Sequence, residues 1–113
     1  MTLYDVVLVP FPFSDLTTSK KRPGLVLCAF TPRGLREHCI VSMMTSNLSG
    51  LQFPGDVALK LWREISLPKP TMVRLSKLVT LDSQLIIKKI ARLKKSDQQA
   101  VSSGLKALFR EIL

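Results

Sequence analysis

A chain of 113 residues, 46% hydrophobic and 22% charged, is long enough to bury a core without a disulfide or metal staple, and predicts a single domain, 1–113. Its 17 Lys and Arg against 8 Asp and Glu give a net charge of +9, which points to a polyanionic partner, nucleic acid before an anionic membrane. No apolar run approaches the roughly 20 residues that span a bilayer, and Met1-Thr2-Leu3-Tyr4-Asp5 lacks the basic start and apolar stretch of a signal peptide, so a cytoplasmic chain with no membrane partner is expected.

Val6–Val9 predicts a first strand, β-branched and largely buried. Pro10 and Pro12 interrupt it, so Phe11 and Phe13 are expected to continue as an edge or bulge. A polar loop is expected over 14–21, ending in Lys20-Lys21-Arg22-Pro23, with Pro23 opening a second strand, Gly24–Ala29. Thr31-Pro32-Arg33-Gly34 has the composition of a turn. Cys39–Met44 predicts a third strand leading into Thr45-Ser46-Asn47. After a loop over Ser49–Gly55, the alternation of Val57, Leu59 and Leu61 predicts a fourth strand, Asp56–Leu61. Ser66–Pro70 is expected to be loop and Thr71–Thr80 to hold one or two short strands; in Leu85–Leu93, Ile86, Ile87 and Ile90 suit either a strand or a helix, and a strand is preferred. Ser96 with Gln99 has the form of a capping box, with Asp97 in the first turn. Val101, Leu105, Leu108, Phe109 and Ile112 then recur at helical spacing; Gly104 weakens that helix slightly. Short strands followed by a terminal helix predict a mainly β fold, a small, partly closed barrel packed against a C-terminal helix.

Few residues carry chemistry of their own accord. Cys28 and Cys39 lie in apolar runs without metal-ligand spacing and are expected to be buried, reduced thiols; no metal and no cofactor is expected. His38 is the single histidine, which excludes a two-histidine ribonuclease mechanism. Trp62 and Phe53 suit either base stacking or a core.

Four segments in order, DVVLV, KKRP followed by GLVLC, IVSMMTSN and TMVRLSKLVTLDSQLI, together with the terminal amphipathic helix, make the chain resemble the MazF/PemK family of toxin endoribonucleases from type II toxin–antitoxin pairs, over nearly its whole length. The resemblance implies an SH3-like small β-barrel, usually a homodimer, and metal-independent endoribonuclease cleavage of single-stranded RNA or mRNA at short motifs. It also implies a cognate antitoxin protein that blocks the RNA groove, and DNA binding by the toxin–antitoxin complex. Arg22 matches the arginine of the family's Arg-Pro pair; a guanidinium can hold two phosphoryl oxygens at once. Thr45 matches the family's hydroxyl residue, able to hydrogen-bond the scissile phosphate, with Ser46 its neighbour and substitute. Arg74 matches a position that is basic in some members and assists there. Lys20 and Lys21 are expected to bind RNA backbone in a salt-sensitive way. Two departures stand out: Thr17-Thr18-Ser19 replaces a Glu that some members carry before the Arg-Pro pair, and Ser76 replaces an acidic residue that some carry two positions after the site of Arg74. No evident carboxylate fills the general-base role; Asp15 is the nearest, and reads equally well as a turn former. Two alternatives stay open on the sequence: a non-catalytic basic nucleic-acid-binding barrel, and a degenerate toxin that only holds its antitoxin.

Overall fold

Residues 1–12, 19–50 and 52–113 are described by the computed structural model, Pro12 and Ser19 by their backbone alone. Among them, six strands precede a helix: β1 (Asp5–Pro12), β2 (Ser19–Phe30), β3 (His38–Thr45), β4 (Asp56–Ala58), β5 (Met72–Asp82), β6 (Lys88–Arg92) and α1 (Lys95–Leu108). The strands form one sheet in the order β4-β5-β3-β2-β1-β6, every neighbouring pair antiparallel. Phe13, Asp15 and the expected loop residues up to Thr18 lie outside the described residues, as does Leu51. Among the described residues, no helix is long and apolar enough to cross a membrane.

Alternation along β1 builds two cores. Val6 joins Leu25, Met44, Val73, Leu75, Leu93 and Val101 on the side that α1 covers. Val7, Val9 and Phe11, on the other face, join Val26, Cys39, Val41 and Leu81. Burial of each such side chain contributes about 1.5–3 kcal/mol. The prolines fit because β1 pairs with β6 only as far as Leu8, leaving β2 as its one neighbour at Pro10 and Pro12; there a missing N–H costs no second ladder. Gly24 lies where β2 crosses the second core: a Cβ there would overlap Val41 Cγ1 and come within 3.2 Å of Phe11 Cε2.

Several elements differ from expectation for identifiable reasons. Lys20, Lys21 and Arg22 are strand, not loop, since β2 begins at Ser19 and pairs with β1 through Phe11↔Lys20 and Val9↔Arg22. Strand β4 stops at Ala58 instead of Leu61. Leu59 N–H still donates to the Thr71 carbonyl opposite it, but the N–H groups of Lys60 and Leu61 turn away and donate to Asp97. Where one or two short strands were expected, β5 is a single long one; its register against β3 slips between Ser42↔Leu78 and Met43↔Arg74, so a buried run, Met72–Leu75, is followed by an exposed one, Ser76–Leu78. The capping box does not form. Lys94 occupies the N-cap with no side-chain hydrogen bond, and Asp97 is turned inward. Helix α1 ends at Leu108, so Ile112 is exposed in a following turn. Cys39 is buried but Cys28 is exposed, at the point where β2 slips register against β3.

Candidate active site

The sequence Arg22-Pro23-Gly24 places an arginine at the point where β2 has β1 beside it but has not yet met β3, whose pairing begins at Gly24↔Met43. Strand β3 ends nearby at Thr45. Arg22 and Pro23 of β2 line a cavity of about 380 Å3, together with Met44, Thr45 and Ser46 at the end of β3. Leu67, Pro68, Lys69 and Thr71, from the loop between β4 and β5, form another wall, and Ile90 of β6 completes it. A residue of β6, at one end of the sheet, and the loop that leaves β4, at the other, therefore meet around one cavity, which is how an open strand order gives a barrel-like curl. Its volume lies within the range of sites that take small ligands.

Three of the expected site residues come together here: Arg22, Thr45 and Ser46. Thr45 is buried, and its Oγ1 accepts the Asn47 N–H at 3.1 Å. This is the local backbone cap that a strand-end threonine often makes; the hydroxyl keeps its own O–H to donate. Ser46 is exposed. Pro23 and Met44, with Leu67, Pro68 and Ile90, make the remaining surface mostly apolar, which raises the strength of any charge contact inside it.

Arg74, Lys20 and Lys21 are not among the lining residues. Arg74 is buried, and its Nε and Nη2 donate to the two Asp56 carboxylate oxygens at 3.0 and 3.2 Å. Its guanidinium lies 4.2 Å from the centre of the Phe53 ring, a cation–π contact. Burial by itself would raise the Asp56 carboxyl; hydrogen bonds from Arg74 and the Phe53 N–H, with the Arg74 charge, outweigh it and hold the group below the usual carboxylate range. Lys20 and Lys21 are both exposed, and strand alternation sends them to opposite faces, Lys20 with Arg22 and Lys21 with Pro23.

Phe53 thus serves Arg74, and Trp62 packs on the helix-side core under a contact from Arg63. His38 Nδ1 bonds the Arg36 carbonyl at 2.8 Å, away from the cavity. Among the described residues, no group of three His, Cys, Asp or Glu comes together as a metal site requires. Lys69 and Thr71 were missed in the sequence. The one signal was Pro68-Lys69-Pro70, a cation whose backbone is stiffened on both sides.

The model of the PemK-like, MazF-like toxins of type II toxin–antitoxin systems matches residues 3–109. In structure the chain is similar to the Mycobacterium tuberculosis toxin MazF-mt6, with 20% identity, a TM-score of 0.70, and 94% of this chain and 96% of that one covered. It is similar to MazF from Deinococcus radiodurans, with 20% identity, a TM-score of 0.68, and 97% and 96% covered. An endoribonuclease from a mycobacterial species, in complex with its cognate antitoxin, aligns at 14% identity and a TM-score of 0.67 over 96% and 94%. No curated protein gives a significant sequence match. At these identities the structural likeness speaks for the fold.

Proposed function

The chain belongs to the PemK-like, MazF-like toxins of type II toxin–antitoxin systems, and from that membership we propose that it is an endoribonuclease cutting single-stranded RNA or mRNA without a metal. The observation that carries this is the meeting of Arg22 of β2 with Thr45, the last residue of β3, and Ser46 just after it in one cavity. In the step they serve, the 2′-oxygen of the nucleotide loses its proton and bonds to phosphorus, and the bond from phosphorus to the 5′-oxygen breaks. The leaving oxygen takes up a proton, and a 2′,3′-cyclic phosphate remains. Arg22 meets the charge that grows on the phosphoryl oxygens, where a guanidinium offers two donors at once. The Thr45 O–H donates to the same phosphate or orients the 2′-hydroxyl. Ser46 sits at the rim as a second hydroxyl. No carboxylate is among the described lining residues, so these groups contribute by alignment and charge stabilisation.

Arg74 keeps a supporting part in this proposal: it holds β4 against β5, while Lys20 and Lys21 attract RNA backbone from outside the cavity. The partners of the working protein are RNA, a cognate antitoxin protein and a second copy of the chain as a homodimer. The endoribonuclease from a mycobacterial species in complex with its cognate antitoxin supports the antitoxin.

The test is incubation of the purified protein with a long single-stranded RNA in EDTA, followed by mapping of the ends. Discrete cuts that leave cyclic phosphates are expected. Arg22→Ala should lower the cutting rate about 10²–10³-fold, the usual cost of one transition-state donor, with an unchanged melting temperature. Equal cutting by the two proteins sinks the role of Arg22. Absence of any cut, with RNA still bound, favours the non-catalytic alternative.

A further inference from the structure

The loop between β4 and β5 forms a wall of the cavity, and it is hydrogen-bonded into one shape. Leu59 N–H donates to the Thr71 carbonyl and closes the base; Leu67 N–H donates to the Trp62 carbonyl and Ser66 N–H to the Arg63 carbonyl, each at 3.0 Å. Ser66 sits at φ 65°, a left-handed backbone that a serine keeps only where its surroundings over-determine it. Ile65 and Leu67 anchor the loop in the helix-side core.

One further tie comes from outside the loop. Asp97, in the first turn of α1, is 1% exposed. Its two carboxylate oxygens accept the N–H groups of Lys60 and Leu61, each at 3.0 Å. Charge-assisted bonds of this kind are strong, and a buried donor left without one is costly. The helix therefore grips the loop at its start. At its end the loop presents Lys69, exposed beside the cavity between Pro68 and Pro70, with the Lys69 carbonyl held by Thr71 Oγ1 at 2.8 Å. Two prolines limit the freedom that this backbone loses when a ligand binds. Neither Lys69 nor Asp97 takes part in the step assigned to Arg22 and Thr45.

We propose that Lys69 contacts a phosphate of the bound RNA from a different wall of the cavity than Arg22, and that Asp97 is the positioning residue that holds the loop so that Lys69 can do so. This rests on the RNA-cleaving function proposed above. A lysine ammonium serves as a point charge for a phosphate next to the one being cut, where position matters and bidentate geometry does not. Such a contact carries a signature that a merely structural role lacks: it releases counterions and so sets how steeply binding weakens with salt.

The experiment measures binding by fluorescence anisotropy across a salt series, with a short labelled single-stranded RNA whose 2′-oxygens are methylated so that it cannot be cut. Wild-type cleavage of unmodified RNA is followed in parallel. Lys69→Ala should weaken binding several-fold and reduce the slope of log affinity against log salt by about 0.7, the value for one phosphate contact on a single strand. Asp97→Asn should lose most of the same slope. The double variant should bind no worse than Lys69→Ala, because the second change acts through the first; independent residues would add. Thermal melts report whether Asp97→Asn is folded. If it is not, Asp97→Glu replaces it, keeping the charge and moving the acceptors by one methylene, and a partial loss of slope is expected. A wild-type slope in Lys69→Ala, or additive losses in the double variant, overturns the inference while leaving cleavage by Arg22 standing. A wild-type protein that neither binds nor cuts RNA overturns both.

Discussion

Removing Asp56 should do more harm to this protein than removing Arg74, although the two form one pair. Their side chains are 8% and 10% exposed, two hydrogen bonds of 3.0 and 3.2 Å join them, and Asp56 also accepts the Phe53 N–H at 2.9 Å. Asp56→Ala leaves a guanidinium, always charged, buried without its carboxylate, and strands the Phe53 N–H as well. Breaking a buried pair in this way costs about 3–5 kcal/mol. At about 4 °C per kcal/mol for a domain of this size, the melting temperature should fall by about 12–20 °C. Arg74→Met keeps an apolar stem over Phe53 and leaves a carboxylate that can take up a proton, so its cost should be nearer 2 kcal/mol. The double variant Asp56→Ala with Arg74→Met should recover part of the loss, since exchanging a whole buried pair for apolar groups is often close to neutral. Melts followed by circular dichroism at neutral pH measure all three. The pH dependence has a definite sign. The folded Asp56 carboxyl titrates below its usual range, so the stabilisation is fully present above about pH 4, the unfolded value. It is lost as the pH falls through the lower folded value. The gap between wild type and Asp56→Ala should therefore narrow in acid. An Asp56→Ala melting temperature within about 3 °C of wild type refutes the account of the pair. Loss of RNA cutting in Arg74→Met at an unchanged melting temperature would move Arg74 from support to chemistry.

Gly24→Ala, next to the Arg-Pro pair, should cost about 1–3 kcal/mol, because its Cβ meets the fully buried Val41; a denaturant midpoint equal to wild type disproves the close contact. Lys94→Ser should raise the melting temperature by a few degrees by giving α1 the N-cap oxygen that Lys94 does not supply, worth roughly 1 kcal/mol, and no gain would show that the turn cannot adopt the capped geometry.

Much of the fold was legible because the apolar runs are short and well separated and the terminal helix is periodic. Val6–Val9 and Cys39–Met44 are short apolar runs bounded by turn residues, the first β-branched, as buried strands are, and the run from Val101 to Leu108 carries the helical period. The misreadings fall where a long-range partner decides. Polar Lys20 and Lys21 looked like loop, yet Pro10 and Phe11 opposite them extend the ladder. The end of β4 looked like strand until the Asp97 carboxylate, far along the chain, took its donors. Of the candidate site, Arg22, Thr45 and Ser46 were found through their motifs and do meet. Arg74 matched a motif as well, but its partner Asp56 is identified by a cross-strand pairing that no local pattern announces.

By itself the sequence determined the things that depend on near neighbours and on totals. These are the strongly basic charge, the strands marked by short apolar runs, the terminal helix written in hydrophobic period, and the arginine placed before a proline. Tertiary structure alone decided which of those residues share a space. Arg22 and Thr45 are separated along the chain, and Lys69 and Ile90 come from further on still. They surround one cavity only because the sheet curls to bring β6 near the loop that joins β4 and β5, and because Asp97 of α1 ties that loop at its start. Side-chain type and spacing record what a residue can do; the register slips and buried hydrogen bonds of distant elements determine what it stands next to.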